Sequence, residues 1–185
     1  MINRKLFFVG YRSRLDPNRK LDQNEVNALD NFLDFVDSSF KDLSIPQWSY
    51  VFATTFHETK ATFLPVREAY WLPNAEAWRK KNLRYYPYYG RGFVQITWKD
   101  NYSKFSKLMG VDFVNNPDLV MDPANAFHIM IYGFIHGSFT GKKISDYINL
   151  KDKDYKNARK CINGTDKAGL IASYATIFEQ IIKSI

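Results

Sequence analysis

The chain has 185 residues, 45% hydrophobic and 17% aromatic, enough for one domain with a sizeable core. A single cysteine, Cys161, excludes an intramolecular disulfide framework, and no apolar run approaches the roughly 20 residues of a membrane-spanning helix. The net charge of +7 favours polyanionic partners, but the positives are scattered, densest at Arg79, Lys80, Lys81 and Arg84, and no nucleic-acid motif accompanies them.

No internal repeat, low-complexity segment or linker stands out, so a single domain over residues 1–185 is expected. At the N-terminus, Arg4 and Lys5 precede Leu6–Val9, an apolar run too short for a secretory core, and folding in a reducing cytosol follows as an expectation. Asp22 and Glu25 form a capping-box pattern ahead of Val26, Leu29, Phe32, Leu33, Val36 and Phe40, spaced for one helical face. Ser44 and Gln47 repeat that pattern before Trp48, Val51, Phe52 and Thr55, predicting a helix that ends near His57–Thr59. Asn74 is expected to cap a short helix through Arg84, and Asp100 or Asn101 to open another that Gly110 closes. Between Tyr85 and Trp98 the pattern changes: Gly90 and Gly92 punctuate, while Phe93, Val94, Ile96 and Thr97 favour strand. Asp122-Pro123 starts a further helix that Gly137 ends, a shorter helix is expected over residues 152–161, and Asp166 is read as the cap of a final helix. The apolar positions of that helix, Leu170, Ile171, Tyr174, Ile177, Phe178, Ile181 and Ile182, read as a core face. The fold class is therefore mainly α with a small β element.

His57-Glu58-Thr59-Lys60 resembles a zinc-protease motif but lacks its second histidine, because position 61 is Ala. The other histidines, His128 and His136, are eight residues apart and about 80° out of phase on a helix. A zinc-dependent wall amidase built from His57, His128, His136 and Cys161 stays as an alternative, with no spacing that resembles a ligand pair. Paired carboxylates fit better. Hydrolysing a glycosidic bond takes one protonated carboxyl to donate to the leaving oxygen and a second carboxylate roughly 5–9.5 Å away, depending on mechanism. Glu58 and Glu68 are ten residues apart, about 15 Å along a continuous helix, but Pro65 lets the chain fold back. On spacing alone, two solvated surface glutamates explain the pattern better.

Several segments resemble the blocks of glycoside hydrolase family 19, which contains plant-type chitinases and many bacteriophage endolysins. They are Phe56-His57-Glu58-Thr59, Val66-Arg67-Glu68, the run from Tyr88 through Gly90-Arg91-Gly92 and Gln95 to Trp98, and Asn101-Tyr102. The likeness continues through Gly110-Val111-Asp112, Asn115 to Val120 and Asp122-Pro123, and closes at Ile162-Asn163-Gly164. It implies a bilobal, lysozyme-like helical fold and an inverting mechanism. On that pattern Glu58 matches the general acid, Glu68 the general base, and Thr97 a residue that holds the attacking water. Gln95, Asn101 and Asn163 match substrate-contacting positions, and His57 and Arg67 sit beside the carboxylates, with Arg67 placed to tune the charge of Glu68; Tyr88 and Trp98 are further substrate-binding candidates as rings that can stack on sugars. Glu76 is the alternative base. Of Tyr85, Tyr86, Tyr88, Tyr89 and Trp98, one or two are expected to stack on sugars and the rest to pack.

The missing cysteines and the short connection from Glu58 to Glu68 fit the phage-type branch. The resemblance thus implies an endolysin cleaving the β-1,4 glycan of peptidoglycan, with a chitinase of the same fold as the alternative. No metal and no cofactor are expected. The expected partners are peptidoglycan strands and anionic outer-membrane lipopolysaccharide, not nucleic acid, and the protein is expected to be a monomer. Its expected location is the host bacterial cytoplasm until a membrane-permeabilising partner releases it to the wall in the periplasm.

Overall fold

The computed structural model describes residues 1–15 and 21–184. Among them the helices are α1 (Arg4–Arg14), α2 (Gln23–Ser38), α3 (Ile45–Glu58), α4 (Ala75–Asn82), α5 (Lys99–Met109), α6 (Pro123–His136) and α7 (Ala168–Lys183). Two short strands, β1 (Val66–Arg67) and β2 (Arg91–Gly92), complete a mainly α fold with a small sheet. The chain divides into two compact units, Met1–Phe63 with Ile131–Ile185, and Leu64–Met130. None of the described helices is long and apolar enough to cross a membrane.

The first unit is organised by aromatic packing. Both capping boxes read from the sequence are present: Glu25 Oε2 accepts from the Asp22 N–H at 3.1 Å, and Gln47 Oε1 accepts from the Ser44 N–H at 2.9 Å. They start α2 and α3 in a register that buries Phe32, Val51 and Phe52. The Phe32, Phe63 and Phe178 rings lie 5.2–5.3 Å from a neighbouring ring, mostly edge-on, and each such pair adds roughly 0.5–1.5 kcal/mol beyond its buried area. Helix α1 was not anticipated. Asn3 caps it by accepting from the Leu6 N–H at 3.1 Å, and Phe7 and Tyr11, one turn apart, are buried. Gly10 permits a close approach to α7, since a Cβ there would lie 3.2 Å from Ile181.

Several expected boundaries are corrected. Phe40 lies beyond α2 in a 3-10 turn, Phe40–Asp42. Asn74 precedes α4 in the left-handed region with no capping hydrogen bond from its side chain. Helix α5 opens at Lys99, ahead of Asp100 and Asn101, although Gly110 ends it as expected with φ +67°. Residues 152–161 form only a 3-10 turn, Asn157–Cys161, because Lys153 is drawn into a β-bridge with Ile148. Asp166 does not cap α7, because the helix starts at Ala168 with Lys167 in the cap position; the Asp166 carbonyl accepts from the Arg159 guanidinium. In α7, Ile171, Phe178, Ile181 and Ile182 are buried as expected, Tyr174 and Ile177 only partly, and Leu170 is exposed.

In the second unit β1 and β2 pair antiparallel, Val66 opposite Gly92 and Arg67 opposite Arg91. The strand therefore falls on Arg91–Gly92, not on the β-branched run after it. Phe93, Val94 and Gln95 form a turn, with Gln95 at φ +54°, and Arg91 and Ile96 bridge its ends. Burial of Phe93 and Ile96 outweighs their preference for extended backbone. The core of this unit is polar at its centre. The Arg91 guanidinium donates to Asp118 at 2.8 Å, the Pro87 carbonyl at 2.9 Å and the Tyr102 hydroxyl at 3.1 Å, and it lies 3.6 Å from the Tyr89 ring centroid. A buried charge needs such saturation, and Arg91 has it.

Candidate active site

Within the first unit, Glu58 is the last residue of α3. Thr59 closes the helix: its hydroxyl donates to the Thr55 carbonyl at 2.7 Å and accepts from the Phe63 N–H at 3.0 Å. The chain then turns sharply through Lys60, Ala61 and Phe63, all at positive φ. A carboxylate in a last helical turn lies among unpaired carbonyl oxygens and needs a countercharge. Arg159 supplies it, donating from Nη1 to Glu58 Oε1 at 2.7 Å, with the arginine side chain 4% and the glutamate side chain 19% exposed.

Arg159 is itself anchored. Its Nε donates to the Asp166 carbonyl at 3.0 Å, and its turn begins where Asp154 accepts from the Asn157 N–H at 2.9 Å. The Arg159 carbonyl accepts from the Asn163 N–H at 3.0 Å, so Asn163, exposed at its side chain, hangs on the same turn that holds Glu58. His57 is partly buried, and burial pushes its imidazole below the ordinary value. Arg159 and Lys167 act in the same direction, while Glu58 and Asp166 oppose them without reversing the shift.

Within the second unit, Glu68 directly follows β1 and is fixed at every polar atom. Its N–H donates to the Gly90 carbonyl at 2.7 Å, and its own carbonyl accepts from Arg79 Nε at 2.6 Å. The carboxylate accepts from the Tyr85 hydroxyl on Oε1 at 2.8 Å and from the Gly90 N–H on Oε2 at 2.9 Å. Thr97 is partly buried; its carbonyl accepts from Asn101 Nδ2 at 2.7 Å, and its hydroxyl has no partner among the described residues. Gln95 braces the hairpin, donating to the Val66 carbonyl at 2.6 Å and the Gly92 carbonyl at 3.3 Å. Trp98 is 43% exposed. Tyr88 is partly buried, its hydroxyl donating to the Val114 carbonyl at 3.3 Å.

Two expectations change. Arg67 does not pair with Glu68; it meets Asp118 at 3.1 Å, beside Arg91. Burial opposes the charge on Asp118, but the hydrogen bonds and charges of Arg91 and Arg67 outweigh it and hold that carboxyl below its usual range. Glu76, the alternative base, is committed to Arg79 at 2.8 Å, Tyr86 at 2.9 Å and Tyr89 at 3.2 Å. Those three hydrogen bonds outweigh desolvation and lower its carboxyl pKa, so Glu76 serves to seat Arg79. The tyrosine hydroxyls are accordingly spent inside the protein. Among Tyr85, Tyr86, Tyr88, Tyr89 and Trp98, the tryptophan is the ring that stays exposed.

Sequence reasoning missed Arg159, Arg79 and the hydroxyl role of Tyr85. Arg159 stands 101 residues from Glu58 inside a lysine-rich stretch, and no local periodicity marks it. Among the described residues, no three His, Cys, Asp or Glu gather as a metal site, His57, His128, His136 and Cys161 included. Cys161 is buried and its thiol is pushed up to about 12, chiefly by desolvation, which leaves it inert.

The family model for Chitinase class I, glycoside hydrolase family 19, matches residues 44–148. Chitinase 11 of Oryza sativa subsp. japonica is 53% identical over 47 residues, 25% of this chain and 18% of the rice protein. Endochitinase A2 of Pisum sativum is 48% identical over 46 residues, 24% of this chain and 14% of its own length. Inactive chitinase-like protein 1 of Hevea brasiliensis is 37% identical over 62 residues, 33% of this chain and 20% of that protein. The matches thus span at most a fifth of these relatives. Among solved structures, chitinase C from Streptomyces griseus HUT6037 superposes with a TM-score of 0.58 at 20% identity, covering 98% of this chain and 92% of that one. A bacterial family 19 chitinase gives 0.52 at 18% identity, covering 98% and 93%. The shared feature is the fold.

Proposed function

The chain belongs to glycoside hydrolase family 19, and from that premise we propose that it is an endolysin hydrolysing the β-1,4 glycan strands of bacterial peptidoglycan. In this reading Glu58 delivers a proton to the leaving oxygen. Glu68 takes a proton from a water that the Thr97 hydroxyl orients, and that water attacks the anomeric carbon with inversion. His57, Arg67, Tyr88, Gln95, Trp98, Asn101 and Asn163 line or support the path of the sugar strand. The reaction draws on no cofactor.

The observation that carries this reading is the fixing of both glutamates. Glu58 is oriented by a buried arginine, and the two hydrogen bonds to Glu68 fix the direction of its carboxylate while each oxygen keeps a lone pair for a water proton. Peptidoglycan is favoured over chitin by charge, since a net +7 suits a polymer that bears carboxylates better than a neutral one. The same basic surface suits lipopolysaccharide. The protein then acts as a monomer, held in the host cytoplasm until a membrane-permeabilising partner lets it reach the wall.

A chitinase is the second reading, favoured by the names of the rice, pea and Streptomyces proteins to which the chain is similar. Mass spectrometry of products from purified peptidoglycan and from colloidal chitin separates the two. Muropeptides with new reducing ends are expected, at N-acetylmuramic acid for a muramidase or N-acetylglucosamine for a glucosaminidase. Release of chitin oligomers with peptidoglycan untouched moves the substrate to chitin, and no product from either polymer removes the hydrolytic reading.

A further inference from the structure

Resting on the reading of Glu68 as the base, we propose that Tyr85 is a positioning residue that couples the orientation of Glu68 to occupancy of the sugar-facing surface at Trp98. The coupling follows from two contacts made by one side chain. The Tyr85 hydroxyl donates to Glu68 Oε1 at 2.8 Å, while its ring centroid lies 5.0 Å from that of Trp98 at an interplanar angle of 51°. The other oxygen of Glu68 is held by the Gly90 N–H, a backbone donor locked in place by the Glu68 N–H bond back to the Gly90 carbonyl. Of the two donors, only Tyr85 sits on a side chain that a ligand can press.

Trp98 is built to transmit such a load. It is 43% exposed, its backbone N–H donates to the Tyr88 carbonyl at 2.9 Å, and it immediately follows Thr97. The Arg84 guanidinium lies 4.9 Å from its ring centroid, so a charge as well as the Tyr85 ring supports the indole. Tyr85 itself is pinned in a turn, its carbonyl accepting from the Tyr88 N–H at 2.7 Å. A sugar stacked on Trp98 therefore restrains the phenol that orients the base, converting binding energy remote from the reacting bond into alignment. Burial, and then the bond to Glu68, push the Tyr85 phenol up to about 12, so it remains a donor across the working pH range. The other charged groups around the pair are Arg84, which faces Tyr85, and Arg79, which is bonded to the Glu68 carbonyl; neither donates to the Glu68 carboxylate.

Tyr85→Phe separates the two contacts, because it keeps the ring and deletes the donor. On solubilised peptidoglycan glycan strands, kcat is expected to fall about ten- to a hundredfold, the loss of one hydrogen bond to a charged group, with KM little changed. A merely structural role would lower the folded fraction and leave kcat per folded molecule and its split from KM unchanged, so the rate is taken per folded molecule. Tyr85→Ala, which also removes the ring beneath Trp98, should raise KM as well. Wild-type kcat per folded molecule in Tyr85→Phe, beside an inactive Glu68→Ala, would overturn the positioning role and leave the base reading standing. An active Glu68→Ala would instead remove the base reading and the coupling with it.

Discussion

Glu58 and Glu68 stand in contrasting surroundings. Glu58 accepts one charge-assisted hydrogen bond from Arg159, a guanidinium almost wholly buried and brought from the far end of the chain. Glu68 accepts two bonds from neutral donors, one of them backbone, and its main chain is held by two more. The first arrangement concentrates the positioning of a carboxylate in one residue; the second spreads it over a hairpin. Single substitutions should therefore damage the Glu58 site abruptly and the Glu68 site by degrees.

The largest effect is expected from Glu58→Gln, which keeps shape and removes the proposed proton donor; activity should fall about 10²–10⁴-fold, checked by turbidity loss of permeabilised Gram-negative cells. Arg159→Met comes next. Breaking a buried pair costs about 3–5 kcal/mol, and the partial exposure of Glu58 places this case at the lower end, measurable by urea unfolding. Gly90→Ala probes the distributed site: a Cβ there would lie 2.6 Å from Gln95 Oε1, so about 1–3 kcal/mol of stability should be lost, with activity reduced less than in Glu58→Gln.

A third carboxylate sharpens the contrast, because its surroundings saturate it with cations. Glu179 on α7 meets Lys183 at 2.6 Å, Lys153 at 3.0 Å and the Tyr155 hydroxyl at 2.7 Å. Desolvation opposes its charge, but these hydrogen bonds outweigh it and bring the carboxyl to about 2. A depressed folded-state pKa stabilises the protein above the unfolded value of about 4.5, and that stabilisation is lost as pH falls towards 2. Melting temperature should thus drop between these values, and Glu179→Gln should flatten the slope while leaving catalysis at pH 7 near wild type.

The parts of the molecule legible in the sequence are those with local causes. Asp22 with Glu25, Ser44 with Gln47, and Asp122-Pro123 with Gly137 announce helices because a cap needs only neighbours three residues away. The strand was misplaced because β-branched residues at 94–97 carry the local signal, while the pairing of Arg91 and Gly92 depends on residues 66–67. Asp166 carries a cap's side chain, but α7 starts at Ala168 and leaves it one residue too early, with Lys167 in the cap position. Of the candidate site, Glu58, Glu68 and Thr97 could be proposed from the resemblance, whereas Arg159 could not, since its contact exists only once the chain brings residues 58 and 159 together.

The account rests on Glu58 and Glu68 acting as acid and base through a water, and the anomer first formed reports on that directly. Proton NMR of the earliest products from a soluble β-linked glycan fragment should show the α-anomer, the outcome of direct displacement by water. An initial β-anomer would require a covalent intermediate and would contradict the roles given to Glu68 and Thr97.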